Sequence, residues 1–147
     1  MSEASQRDTL MDAMRESVAA FLTGRVIDRS LKTIDGYKAE DLRRGVLAIV
    51  AAGGGNFANW QGREGELGTI RFKVVGFVMV AEQANGVPTE PVEVERAEHA
   101  LLEDWLRWVG EFKAPPLDAL YPGNYQQSTQ LEHPYGWFVL DMEARFV

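Results

Sequence analysis

The stretch from Gly68 to Ala81, G-T-I-R-F-K-V-V-G-F-V-M-V-A, constrains the fold more than any other part of the chain. Its β-branched and aromatic residues suit a pleated, packed surface, and Ile70, Phe72, Val74, Val78 and Val80 fall on one face at period two. The other face starts polar with Thr69, Arg71 and Lys73 and ends apolar with Val75, Phe77 and Met79. That is the pattern of a strand that leaves solvent and enters a region covered on both sides. One face therefore needs a layer of helices, and half of the other needs a cover of its own.

Two helical patterns can supply the first layer. Leu10, Met14, Val18, Phe21 and Leu22 predict an amphipathic helix over 6–23, with Gly24 closing it in the left-handed position. Val94, Ala97, Leu101, Trp105, Trp108, Val109 and Phe112 predict a second, starting at Thr89-Glu90-Pro91 with the hydroxyl as cap and ending near Lys113, before Pro115-Pro116. Val46 to Ala52 is a continuous apolar run of strand length, and from Trp137 to Val147 the residues Phe138, Leu140, Met142, Ala144 and Phe146 alternate with Asp141, Glu143 and Arg145. Arg25 to Ile34 has room for one short strand, and Lys38 to Arg44 for one helical turn. Gly53-Gly54-Gly55 and the residues up to Leu67 read as one long connection, Gln83 to Val87 as a loop, and Leu117 to Gln130 as irregular.

Without regular strand-helix alternation, the expected fold is α+β: one domain over 1–147, a mainly antiparallel sheet of three to five strands, and two amphipathic helices packed on one face. Val75, Phe77, Met79, Trp137 and Val139 are then left for the opposite face. Either a partner covers them, or the Trp60 loop or the Tyr121 segment folds over them.

Composition narrows the function. With 147 residues, 46% hydrophobic and 25% charged, the chain suits a single soluble domain. A formal charge of −7 argues against high-affinity DNA binding, which depends on lysine and arginine displacing phosphate counterions. There is no cysteine to supply a thiolate nucleophile, a disulfide or a zinc-binding thiolate. The first residues lack the pattern of a signal peptide, and no apolar run of ~18 residues is present, so a soluble cytosolic product with no membrane contact is expected.

Candidate chemistry is thin. Gly53-Gly54-Gly55 lacks a following Lys-Ser/Thr and a helix to aim backbone donors at phosphate, so a hairpin loop is the preferred reading. Glu95, His99 and Glu103 stand four apart on one helix face and could hold a metal, but a solvated face with i,i+4 pairing explains them more simply. His133 sits beside Glu132 and Pro134 in a loop, and no nucleophile elbow is visible. Asp141 and Glu143 read as a wet sheet surface or a subunit contact. The four tryptophans read as core or interface anchors. The expectation is a non-enzyme without cofactor, metal site or catalytic residues.

Four segments, L-A-I-V-A-A-G-G-G, T-I-R-F-K-V-V-G-F-V-M-V, A-L-L-E-D-W-L-R-W-V and Y-G-W-F-V-L-D-M-E-A-R-F-V, follow an N-terminal amphipathic helix. In size and element order the chain resembles the tail-terminator proteins of long-tailed bacteriophages. The resemblance implies a subunit of a ring, a hexamer, that caps the tail tube, stops its polymerisation and joins the tail to the head connector. Its implied partners are other copies of itself, the tail tube protein, a connector or neck protein, and genome DNA passing through the lumen without sequence-specific binding. Its implied location is the tail at the neck of the virion, and the host cytoplasm during assembly. The subunit or tube interface is assigned to Phe57, Trp60, Arg63, Val75, Phe77, Met79, Tyr121, Tyr125 and Trp137. The segment from Gly24 to Gly45 fits the family pattern least. The alternatives are another phage neck or tail-completion protein, or a monomeric α+β ligand-binding protein or enzyme with its pocket beneath the Trp60 loop.

Overall fold

The computed structural model describes residues 5–57, 67–114 and 117–146. In chain order the elements are α1 (Gln6–Phe21), β1 (Val26–Asp28), a 3₁₀ turn at Ile34–Gly36, α2 (Ala39–Arg44), β2 (Val46–Gly55), β3 (Thr69–Met79), β4 (Gln83–Ala84), β5 (Val87–Pro88), α3 (Val92–Glu111), β6 (Leu117–Gln127) and β7 (Tyr135–Phe146). Five strands make one sheet of order β1-β2-β3-β7-β6, with β1 parallel to β2 and the remaining pairs antiparallel. The fold is α+β with a mainly antiparallel sheet, and β3 is its central strand, as its two-faced pattern requires.

The inner face carries the core. Ile70, Phe72, Val74 and Val78 of β3 join Phe138, Leu140, Met142 and Ala144 of β7 and Leu47 and Ile49 of β2. Over them lie Met11, Met14 and Val18 of α1 and Leu101, Trp105 and Trp108 of α3, all buried. Truncating either tryptophan would cost about 3–5 kcal/mol. Trp108 donates its indole N–H to Ser17 Oγ at 2.9 Å, which ties the two helices together. The Trp105 indole N–H is buried without a hydrogen-bond partner, but its ring packs 4.8 Å from Trp108 and 6.4 Å from Phe72.

The second cover comes from the segment between β1 and β2. Parallel neighbours cannot be joined by a tight turn. Residues 29–45 therefore cross over the sheet, and they do so on the face away from α1 and α3. Leu42 of α2 is buried, Tyr37 sits 5.6 Å from Phe77, and Val46, Ala48 and Val75 are buried outside the main core cluster. Burial raises the pKa of the Tyr37 hydroxyl above its ordinary value. Arg25 anchors the far end of this crossover, donating to Asp104 of α3 at 2.9 Å and to the Arg44 carbonyl at 2.8 Å, while Arg107 pairs with the same aspartate. Its partial burial lowers the Arg25 pKa without removing its charge.

Several local expectations are corrected. Helix α1 stops at Phe21 and is capped by Leu22 at φ −108°, so Gly24 plays no left-handed closing role; Met11 is buried and Phe21 is exposed. Gly53-Gly54-Gly55 is not a loop but the end of β2, paired with Arg71, Ile70 and Thr69 after a bulge at Ala52. Gln83 to Val87 is a hairpin turning on Asn85-Gly86, both with positive φ, the residue pair that a two-residue hairpin favours. Thr89 does not cap α3, because its hydroxyl donates to the Ala81 carbonyl and the N-cap position belongs to Pro91. Leu117–Gln127 is strand β6, not irregular chain, whereas α3 ends at Glu111 with Phe112 as its cap, close to the expected Lys113. The cover over Val75 and Phe77 is the crossover and not the Tyr121 segment, which lies beyond β7. Trp60, Arg63, Pro115, Pro116 and Val147 lie outside the described residues.

Gly76 and Gly110 make opposite predictions. A Cβ at Gly76 would stand 2.2 Å from the buried Phe138 ring, whereas one at Gly110, on α3, would meet nothing within 4 Å. Gly76→Ala is expected to destabilise by about 2 kcal/mol or more. Gly110→Ala should stabilise by up to about 1 kcal/mol. Urea denaturation monitored by tryptophan fluorescence checks both signs.

Candidate functional site

The outer face of the sheet is built from cross-strand pairs. Val75 stands opposite Val139, Phe77 opposite Trp137 and Met79 opposite Tyr135 on β3 and β7. Such pairs share a face and touch. The crossover packs on the β2 and β3 side of this apolar end. Val75 is thus 8% exposed and closed to any partner, while Phe77, Met79, Trp137 and Val139 are half-buried and Tyr135 is exposed. The four apolar candidates Val75, Phe77, Met79 and Trp137 do come together, and Tyr135 and Val139 complete the patch.

Further along the same strands the face turns polar. Lys73 stands opposite Asp141, with their charged groups 3.5 Å apart, and Arg71 stands opposite Glu143. Arg145 donates to Glu143 at 2.9 Å and lies 4.1 Å from the centre of the Tyr121 ring. The hydrogen bond to Glu143, followed by its charge, raises the pKa of the Arg145 guanidinium. Asp141 and Glu143 are thereby committed to salt bridges across the sheet surface.

The remaining candidates are scattered. Tyr121 belongs to the charged half, and Tyr125, exposed on β6, pairs with Leu140 past a register shift. Phe57 follows the end of β2 and lies 5.5 Å below the Arg7 guanidinium. That end is level with Thr69, about 25 Å along the strands from Phe77. Near it is a cleft of about 370 Å³ lined by Gln6, Thr9, Leu10, Ala13, Leu67 and Phe146, with Ala114 at its rim.

Glu98 is the residue that sequence reasoning missed. It is 2% exposed on α3, and its carboxylate accepts from Ser128 Oγ at 2.5 Å, the Trp137 backbone N–H at 2.9 Å and Gln127 Nε2 at 3.2 Å. These bonds fasten the link between β6 and β7 to the helix and set the position of Trp137. An acidic residue among apolar neighbours on one stripe, four before Leu102 and three after Glu95, was the available signal. Glu95, meanwhile, accepts from Gln130 at 3.3 Å, and among the described residues no three His, Asp or Glu side chains converge as a metal site. Among the described residues, no helix is long and apolar enough to cross a membrane.

No protein-family model matches the sequence, and no curated protein matches it.

Glu98→Ala would strand three donors at the point where α3 meets β7. It is expected to destabilise the fold by about 3 kcal/mol or more. Glu98→Gln keeps the shape but turns an amide N–H₂ against one of those donors, so it should fall between Glu98→Ala and the unchanged protein. Thermal melts of the three proteins check the order.

Proposed function

We propose that this chain is a structural subunit of a phage tail: a tail terminator that assembles as a ring, a hexamer, caps the tube, halts its growth and meets the head connector. The observation that carries the reading is the apolar end of the outer sheet face. Met79, Trp137 and Val139 stay partly open beside Tyr135 after the crossover has covered their neighbours, and the paired charges of Lys73, Asp141 and Glu143 border them. Apolar anchors inside a polar rim are the anatomy of a protein interface. A formal charge of −7 also suits a subunit lining a passage through which DNA slides without sticking. In this reading the protein acts at the neck of the virion and is made and assembled in the host cytoplasm.

A second reading, a small-ligand binder, rests on the apolar cleft between α1, Leu67 and Phe146. The two part on one experiment. The cognate tube protein is allowed to polymerise with this protein present well below one to one. A terminator shortens the tubes, and Met79→Ser with Trp137→Ser, both on the half-open patch, should weaken the effect about tenfold or more. Tube lengths indifferent to the added protein, with none of it at tube ends in micrographs, would defeat the terminator reading.

A further inference from the structure

The outer face of the sheet is ordered strand by strand as well as end to end. Along β3 the residues on this face are Arg71, Lys73, Val75, Phe77 and Met79, and level with them on β7 stand Glu143, Asp141, Val139, Trp137 and Tyr135. Cations thus lie on one strand and anions on its neighbour at two levels, and apolar or aromatic residues face each other at the other three. Lys73 and Asp141 meet at 3.5 Å, yet their side chains stay 51% and 57% exposed. Glu143 is bonded to Arg145, which stands one level further on opposite the uncharged Thr69. Among the described residues, no ion pair engages Arg71.

A two-fold axis along the strands, midway between β3 and β7, exchanges these strands and keeps every level. A second copy related by it lays its β7 over β3 of the first and its β3 over β7. Lys73 of each copy then faces Asp141 of the other and Arg71 faces Glu143, while Phe77 faces Trp137 and Met79 faces Tyr135. Sheets packed face to face lie about 10 Å apart with their strands within about 30° of parallel, which suits this placement. An axis across the strands would instead set charged levels on apolar ones or leave the ladder unmatched.

The crossover obeys the same symmetry. It packs over β2 and β3 at the apolar end, whereas Gln126 of β6, beside Val139 on this face, is exposed. The exchange sets β2 of one copy over β6 of the other, so each crossover fills the space above the other copy's β6 and β7 and closes the half-open Trp137 and Val139. The face is about 27 Å long and about 15 Å wide across β3, β7 and β6. With the crossovers included, two copies would bury roughly 1,000 Å², the size of a reversible contact.

We infer that a second copy of this chain docks on the outer sheet face about this two-fold axis. Such a contact uses the same patch on both copies and closes at two, so it belongs to the free protein and not to a ring. In it the half-open patch is hidden until a tube end displaces the second copy. That last step rests on the terminator reading, and the dimer itself rests on the register of β3 and β7.

The test is mass in solution, by sedimentation from about 1 to about 500 μM, where a contact of this size should dissociate with a constant of about 10–100 μM. Lys73→Asp and Asp141→Lys should each raise that constant about tenfold or more, because each sets like charges against each other twice across the axis. Mixed one to one, the two variants should pair with each other as well as the parent pairs with itself, and native mass spectrometry reads the mixed dimer directly. Both changes in one chain should restore the dimer, which separates reversed charge from damage to the fold. The inference is overturned by a parent that stays monomeric to about 500 μM or forms larger rings without a dimer. Single variants that dimerise like the parent, folded variants that do not pair on mixing, or a double variant that stays monomeric overturn it equally. Tube lengths measured in parallel separate the two ideas. A monomer that shortens tubes overturns the dimer and leaves capping standing, and a complementing dimer that ignores tubes does the reverse.

Discussion

Everything on the inner side of this fold depends on how closely α3 approaches the two central strands. At Gly136, on β7, a Cβ would lie 2.4 Å from Val94 and 2.6 Å from the Glu98 carboxylate. The helix sits where no side chain would let it sit, and this brings Glu98 within 2.9 Å of the Trp137 N–H. A carboxylate that deep is tolerable only when fully hydrogen-bonded. Three donors, Gln127 at the end of β6, Ser128 in the link and Trp137 at the start of β7, meet that need, and in doing so they fix the link. Close approach, buried charge and the position of the final strand are one arrangement.

The outer face follows from the inner one. Once α1 and α3 take the inner face, among the described residues the cover over Val75 and Phe77 comes from the chain that joins the parallel pair β1 and β2. That crossover packs on β2 and β3, where Tyr37 meets Phe77. The cross-strand partners on β7 are left half-open, and the face divides into a closed apolar strip, an open apolar strip and a charged ladder.

The elements legible in the sequence were those whose burial is written into a local period. The two faces of β3, the alternation in β7, the apolar run that begins β2 and the stripe of α3 all have that property. The crossover did not, because Ile34, Tyr37 and Leu42 stand singly among polar residues, and Leu42 is buried, with Ile34 and Tyr37 half-buried, only through the pairing of Val26 with Val46. Strand β6 was hidden for a similar reason: Tyr-Pro-Gly-Asn reads as a turn, and only β7 beside it draws those residues into the sheet. The assigned interface residues were chosen as one set, but they stand at several places, because sequence separation says nothing about position along paired strands. Glu98 was missed because a single glutamate on a helix gives no local sign of the donors, 29 to 39 residues away, that bury it. The Asn85-Gly86 hairpin, read as a loop, was the one miss whose signal lay in its own two residues.

The edges of the sheet bear on how copies could associate. An open strand edge invites another chain to extend the sheet, and proteins that must not aggregate blunt it. Here β1 is three residues long, β6 contains Pro122 and two register shifts, and the outer run of β2 carries a bulge between Ala51 and Gly53. None offers a long, regular ladder. Association through backbone pairing is thereby disfavoured, and contact must come from side chains on faces and loops, where charge sets orientation more than area does. A chain of −7 repels its own copies at long range. Any contact between copies has to offset that repulsion by short-range burial, and the half-open strip of Met79, Trp137 and Val139 is the apolar surface that the sheet face supplies for it.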